Sequence, residues 1–374
     1  MNISSMRAVG VIPARREVGL IAHPAPVLDQ PDQVLVRTIE VGICGTDREI
    51  CTFAYGTPPE DSEYLVLGHE ALGEVVRVGS GVTRFKPGDL VVPTVRRPCP
   101  HDTCPSCREQ RQDFCFTGDF TERGIKMRHG YMTEYFVEEE AHLNRVPPEL
   151  RDVAVLVEPL TVAEKALAQV WQVQKRLPWN GATSDSEPGR GKTAVVLGAG
   201  PIGILGAMAL IVSGFRTIVY SRSPAPNPKA ALVEAIGARY VSAQQVPVDQ
   251  FAAEVGNIDL VYEGVGAADI AFEVLEILGL NGVFIFTGIP PHKPAIPIKG
   301  DTLMRHMVLK NHLIIGTVNA DRAAFQAAIR HLGEFKRRWP DATRNLITGR
   351  FPIEAYRDLL LGKAVGIKNV IQFG

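Results

Sequence analysis

Four cysteines, Cys99, Cys104, Cys107 and Cys115, fall within 17 residues of this 374-residue chain. Such density in a chain of this size reads as metal ligation rather than disulfide bonding. Four thiolates close a tetrahedron around zinc and leave no open position, which is the donor set of a structural site. The first spacing is four residues, and His101 stands where a spacing of two would put a ligand. The first ligand is therefore Cys99 or His101. Cys99 is preferred, because all-thiolate sites are common and Pro100 and Pro105 can shape the longer loop. A second donor set is suggested upstream by Cys44, in GICGTD, and by His69 and Glu70, in GHE. A thiolate, an imidazole and a carboxylate leave room for water or substrate, as catalytic zinc requires. Glu158, in LVEPL, offers a further carboxylate. Spacing alone does not bring these residues together, and each singly is more often a satisfied core side chain than a ligand.

The run Gly198-Ala199-Gly200-Pro201-Ile202-Gly203 matches the dinucleotide fingerprint. Its context is the expected one, since the apolar segment Thr193–Leu197 precedes it and a helix-forming run, 202–212, follows. The first glycine would make the tight turn, the second would admit a pyrophosphate, and the third would let helix and strand pack closely. The free N–H groups of the helix start would face the phosphates. An NAD site usually carries an acidic residue about 20 positions on. Here Ser221, Arg222 and Ser223 follow the second strand, and no Asp or Glu lies between Gly203 and Glu234. A hydroxyl and a guanidinium suit a 2′-phosphate, so NADP is the expected cofactor, with NAD tolerated.

These groups need a scaffold. To about residue 160 the chain is rich in short β-branched segments, such as 33–41, 71–78 and 89–95, separated by turn signals. That pattern predicts a barrel-like β unit. Abundant glycine (35) and proline (27) predict many turns between short elements rather than long helices. Residues 172–192 are polar and rich in Pro, Gly and Ser, and read as a surface linker. From residue 193 to about 317, strands and helices alternate, with 219–220, 260–262 and 283–286 as candidate parallel strands. The tail mixes a helix over 323–339 with a strand over 369–373. The chain is 22% charged with a formal net charge of −1. That balance gives no electrostatic reason to expect nucleic acid or an acidic membrane surface. No apolar run approaches a bilayer span, and the first residues show no secretory signal. A cytoplasmic protein is expected.

The strings GICGTD, GHEALGEVVRVGSGVTRFKPGD, the cysteine lobe and VVLGAGPIG, in that order, resemble the medium-chain zinc dehydrogenase family. The details VGICGTDREI, TGDFTERGI, VEPLTVAEKAL and LIIGTVNADRAAF are similar to its glucose (aldose) 1-dehydrogenase branch. The resemblance implies an α/β protein. A GroES-like β-rich catalytic domain, 1–165 completed by 320–374, would join a Rossmann domain, 166–319, with catalytic zinc in the cleft between them. It implies that Cys44, His69 and Glu70 bind catalytic zinc, with Glu158 as an alternating or water-bridged ligand. Cys99, Cys104, Cys107 and Cys115 would hold a second zinc. Thr46, Glu122, Glu158 and Asn319 would hold sugar hydroxyls. Gly200, Pro201, Ile202, Gly203, Ser221, Arg222, Ser223, Thr287, Gly288, Thr317, Val318, Asn319 and Lys368 would line the cofactor. The implied reaction takes hydride from C1 of an aldose such as glucose to nicotinamide and leaves a lactone. Thr46 and a carboxylate, Glu70 or Glu158, would relay the proton. A polyol dehydrogenase of the sorbitol type, a threonine dehydrogenase and a non-catalytic redox sensor are the competing readings. A dimer or tetramer joined through Rossmann edge strands is also implied. Position 162 is valine where some members of the branch carry an aspartate that touches sugar.

Overall fold

Residues Gln33–Gly42 begin as a strand that alternates buried and half-buried side chains and end fully buried. The computed structural model describes residues 5–180, 187–291 and 294–373. The chain divides into two compact units, Met1–Thr161 with Asn319–Gly374, and Val162–Val318.

In the first unit the strands run in the order Leu143–Val146, Leu90–Pro93, Glu70–Val78, Gln33–Gly42, Lys368–Gln372 and Ile347–Pro352, with Tyr135–Glu139 also paired to Gln33–Gly42. The C-terminal strand thus lies against the central one, with Val370 opposite Gly42 and Gly42 opposite Glu70. Two register shifts interrupt the pairing of Gln33–Gly42 with Glu70–Val78, and such bulges bend and twist a sheet. A smaller sheet joins Glu17–Pro24, Ser5–Ile12 and Leu65–Val66.

The second unit holds six parallel strands in the order Arg239–Ser242, Arg216–Ser221, Thr193–Leu197, Leu260–Glu263, Val283–Phe286 and Leu313–Gly316. Numbered along the chain this is 3-2-1-4-5-6, the doubly wound order whose direction reverses beside the first strand. The strand Thr193–Leu197 is buried throughout, as a parallel strand covered on both faces should be. Phe251, Val274 and Phe284 pack in the core beneath it.

Two expectations need correction. The helix Val157–Gln174 runs into the segment read as a linker, and a 3-10 turn, Pro178–Asn180, follows. Packing overrides the polar composition there: Trp171 stacks on Phe215 with centroids 5.8 Å apart, and Gln174 donates to the Asn281 carbonyl at 2.9 Å. Residues 181–186 of that segment lie outside the described residues. Nor are all helices short, since Val157–Gln174 has 18 residues and Arg322–Arg338 has 17. The latter carries an Asp321 N-cap that accepts from the Ala324 N–H. Among the described residues, no helix is long and apolar enough to cross a membrane.

Candidate active site

Cys44 ends the strand-to-helix turn after Gly42 and caps the helix Gly45–Ile50. Glu70 opens the neighbouring strand and His69 precedes it, just after Gly68, whose φ of +89° suits glycine. A Cβ on Gly68 would also lie 2.6 Å from Met132 and 2.8 Å from Val41. The donor atoms of Cys44, His69 and Glu70 lie within 4.8 Å of one another. His69 and Glu70 are buried. The three donors, far apart in the chain, therefore converge on a spot the size of one ion, and soft and borderline donors of this kind fit zinc. Thr46 Oγ1 lies 3.8 Å from the Cys44 sulfur.

A buried carboxylate that the motif search passed over holds this arrangement. Asp47 Oδ2 accepts from the Cys44 N–H at 2.8 Å, and its Oδ1 accepts from the Gly68 N–H at 3.2 Å. It thereby ties both ligand-bearing turns together. Its Oδ1 also stands 3.5 Å from His69 Nδ1, an electrostatic contact longer than a hydrogen bond. Burial opposes charge on His69, but Asp47 and then Cys44 outweigh it and raise the imidazole pKa well above its ordinary value. The sequence signal was present: an acid three residues after a cap is the capping-box position.

Glu70 meets a second unexpected partner. Lys368 Nζ donates to both its oxygens, at 2.8 and 2.6 Å, and to the Ile43 carbonyl at 3.1 Å. Lysine and glutamate are both almost fully buried. The resemblance implied a cofactor role for Lys368; here its ammonium is committed to Glu70. Gly42 makes room for this pair, since a Cβ there would fall 2.1 Å from Glu70 Oε2. Glu158 lies in the first turn of Val157–Gln174. It is not one of the three gathered donors. Burial, together with the nearby Glu70 carboxylate, raises its pKa to about 7 against the pull of His69 and Lys368.

Glu122 is buried rather than solvated. Its Oε1 accepts from Arg96 Nε at 3.0 Å and from Asn319 Nδ2 at 2.8 Å, and Arg96 lies over the Phe120 ring. Two of the residues assigned to sugar hydroxyls thus touch each other. Asn319 adopts a left-handed φ of +60°, and its side-chain oxygen accepts from the Ala320 N–H.

The four lobe cysteines form the other gathered set, with donor atoms also within 4.8 Å of one another. All six cysteines are free thiols. Backbone N–H groups of Cys107 and Phe116 hold the Cys104 thiol down to about 5, while burial pushes the Cys107 thiol up to about 12. His101 lies outside the cluster, with Nε2 2.6 Å from Asp119 Oδ2.

In the second unit the glycine turn shows why each glycine stands where it does. Gly198 has φ +95°. A Cβ on Gly203 would lie 2.0 Å from the Gly198 carbonyl oxygen, so helix and strand touch there. Gly200, the N-cap of Pro201–Val212, faces open space, as a position approached by phosphate needs to. Ser221 ends the second strand, and Arg222 and Ser223 follow it, exposed. No carboxylate pairs with Arg222 among the described residues. Glu263, which sequence reasoning missed, organises the facing loops. It is buried and accepts from the N–H groups of Val265 and Gly266 at 2.7 Å and of Gly288 at 3.2 Å. Its carbonyl accepts from Thr287 Oγ1. Gln169 holds Thr317 Oγ1, and Lys165 holds the Val318 carbonyl.

Two family models match the chain. Residues 151–373 match the family described as "Glucose dehydrogenase C-terminus", and residues 30–148 match "Alcohol dehydrogenase GroES-like domain". The chain is 36% identical over 372 residues to the glucose 1-dehydrogenase of Methanocella arvoryzae, covering 99% of this chain and 100% of that one. It is 40% identical over 368 residues to the glucose 1-dehydrogenase of Thermoproteus tenax, covering 98% and 99%. Among solved structures, glucose dehydrogenase of Haloferax mediterranei in complex with NADP, Zn and gluconolactone superposes with a TM-score of 0.86 at 31% identity, covering 99% of each chain.

Proposed function

Because this chain belongs to the zinc-dependent medium-chain dehydrogenase family, in its glucose dehydrogenase branch, we propose that it oxidises the C1 hydroxyl of an aldose such as glucose to the lactone, with NADP as preferred acceptor and NAD tolerated. The observation that carries this reading is the convergence of Cys44, His69 and Glu70. Zinc held by these residues supplies Lewis acidity that eases loss of the hydroxyl proton near neutral pH. A dinucleotide held at the glycine turn, residues 198–203, would supply the hydride acceptor.

The remaining work belongs to the chain. Asp47 fixes the two ligand turns. Thr46, beside Cys44, passes the hydroxyl proton outward. Glu158, a buried carboxylate whose pKa burial raises, is the group to which Thr46 would hand that proton. Glu122 has Oε1 engaged by Arg96 and Asn319 and keeps Oε2 for a sugar hydroxyl. Arg222 and Ser221 receive the 2′-phosphate, and the helix start at Pro201 receives the pyrophosphate. The lobe cysteines hold a second, structural zinc.

The free thiols suit a reducing cytoplasm. A second copy would cover the edge strand Leu313–Gly316 and the helix Gly300–Leu309, where Met304, Val308, Leu309 and Ile314 are exposed. An unpaired edge beside apolar side chains is a natural docking surface, and size-exclusion chromatography tests it.

The purified enzyme, assayed on glucose, other aldoses, sorbitol and threonine with both cofactors, tests the main reading. Glucose with NADP should be turned over fastest. Metal analysis should find about two zinc ions per chain, matching the two donor clusters. Cys44→Ser and His69→Ala should abolish oxidation while still binding NADP. Near wild-type turnover by either variant would overturn the assignment.

A further inference from the structure

A hollow of about 490 Å³ on the first unit is lined by Arg84, Phe85, Asn144, Arg145, Arg322 and Gln326 among others. It shares no residue with the metal clusters or the glycine turn. Three guanidiniums in one hollow are unexpected in a chain with net charge −1, unless carboxylates answer them. Only one does so here. Arg145 Nη2 pairs with Asp89 at 2.9 Å. Arg84 donates to the Leu143 carbonyl at 2.9 Å, and Arg322 reaches only the Ala141 carbonyl at 3.5 Å. Neither of these two meets a carboxylate within ion-pair distance among the described residues. Glu140, the acid facing Arg84, accepts instead from the backbone N–H groups of Thr83 and Arg84.

The arginines are also held in place. Phe85, buried, lies under Arg84 at 5.1 Å and Arg145 at 5.5 Å, distances at which cation–π attraction operates. Arg84 loses affinity for its proton, first through burial and then through repulsion from Arg322 and Arg145, against the pull of Glu140. Asn144 is 4% exposed. Its amide nitrogen donates to the Val92 carbonyl, and its oxygen has no partner among the described residues. Two guanidiniums without a paired carboxylate, beside a third on a shared aromatic floor, are what a multivalent anion would complete.

We propose that this hollow binds a small multivalent phosphate. Guanidinium forks match phosphate oxygens two at a time, and the volume falls in the range of small-molecule sites. The balanced overall charge supplies no wider basic face for nucleic acid.

Calorimetric titration of the zinc-loaded enzyme, saturated with NADP so that the dinucleotide site is filled, tests this. Inorganic tripolyphosphate and ADP are the two probes. One saturable site per chain is expected, weakening as salt rises. Arg322→Gln and Arg84→Gln should each weaken it at least about tenfold while glucose turnover stays unchanged. Equal binding of the two probes would show that phosphate alone is read; tighter ADP would show that the nucleoside is read as well. Should Arg84→Gln fold poorly, the exposed Arg145→Gln takes its place. Absence of saturable binding, or the same affinity in Arg322→Gln as in wild type (the result if zinc chelation produced the heat), would overturn the proposal.

Discussion

Replacing Lys368 by methionine keeps the length of the side chain and deletes the ammonium that holds both oxygens of Glu70. The carboxylate is 1% exposed, so water does not substitute for the lost donor. Removing one partner of a buried ion pair typically costs about 3–5 kcal/mol, because the other charge stays buried and unpaired. For a unit of this size each kcal/mol shifts the melting temperature by about 2–4 °C, so a fall of about 6–20 °C is expected. Differential scanning fluorimetry of the metal-free protein reads it directly. The double variant Glu70→Leu, Lys368→Met should recover most of the loss, since an apolar pair of similar volume avoids desolvation altogether. A single variant that melts within about 2 °C of wild type, or a double variant no better than the single, would refute the claim that this pair is a mutually dependent buried unit.

Arg222→Ala should raise the Michaelis constant for NADP by about 10- to 100-fold, the worth of a charge-assisted hydrogen bond, and leave that for NAD nearly unchanged. Steady-state kinetics with both cofactors check this, and equal effects would remove the 2′-phosphate role. His129 accepts from the Val66 N–H and stacks on Tyr64. Burial, then His23 and Arg123, push its pKa from 6.5 down to about 4. The unfolded chain therefore binds the proton first as pH falls, so stability is full above about pH 6.5 and is lost progressively towards pH 4. His129→Gln, which keeps an acceptor for Val66, should flatten that limb of a urea-midpoint profile; an unchanged slope would assign the loss to other groups.

Local chemistry made much of the molecule readable. The glycine turn between Thr193–Leu197 and Pro201–Val212 follows from backbone sterics alone, and the lobe cysteines follow from spacing. The start of the segment read as a linker, residues 172–174, is helical; composition records polarity but not the contacts of the preceding turn, where Trp171 stacks on Phe215. Glu122 is similar: its surroundings are set by Arg96 and Asn319, one 26 and the other 197 residues away. Lys368 shows the limit most sharply. No periodicity links it to Glu70; only the register that sets Val370 and Glu70 on either side of Gly42 does. Asp47 and Glu263 were legible in principle, as acids close to turns, but their worth lies in backbone N–H groups that no motif records.

The strand Lys368–Gln372 also bears on how the chain is made. Lys368 leaves the ribosome 298 residues after the carboxylate it neutralises, which at about 5–20 residues per second is a delay of roughly 15–60 s. Throughout that interval the nascent chain carries Cys44, His69 and Glu70 without their last neighbouring strand. The whole of Val162–Val318 is complete before that strand appears. The nucleotide-type unit can thus finish folding while Glu70 still lacks the lysine that neutralises it.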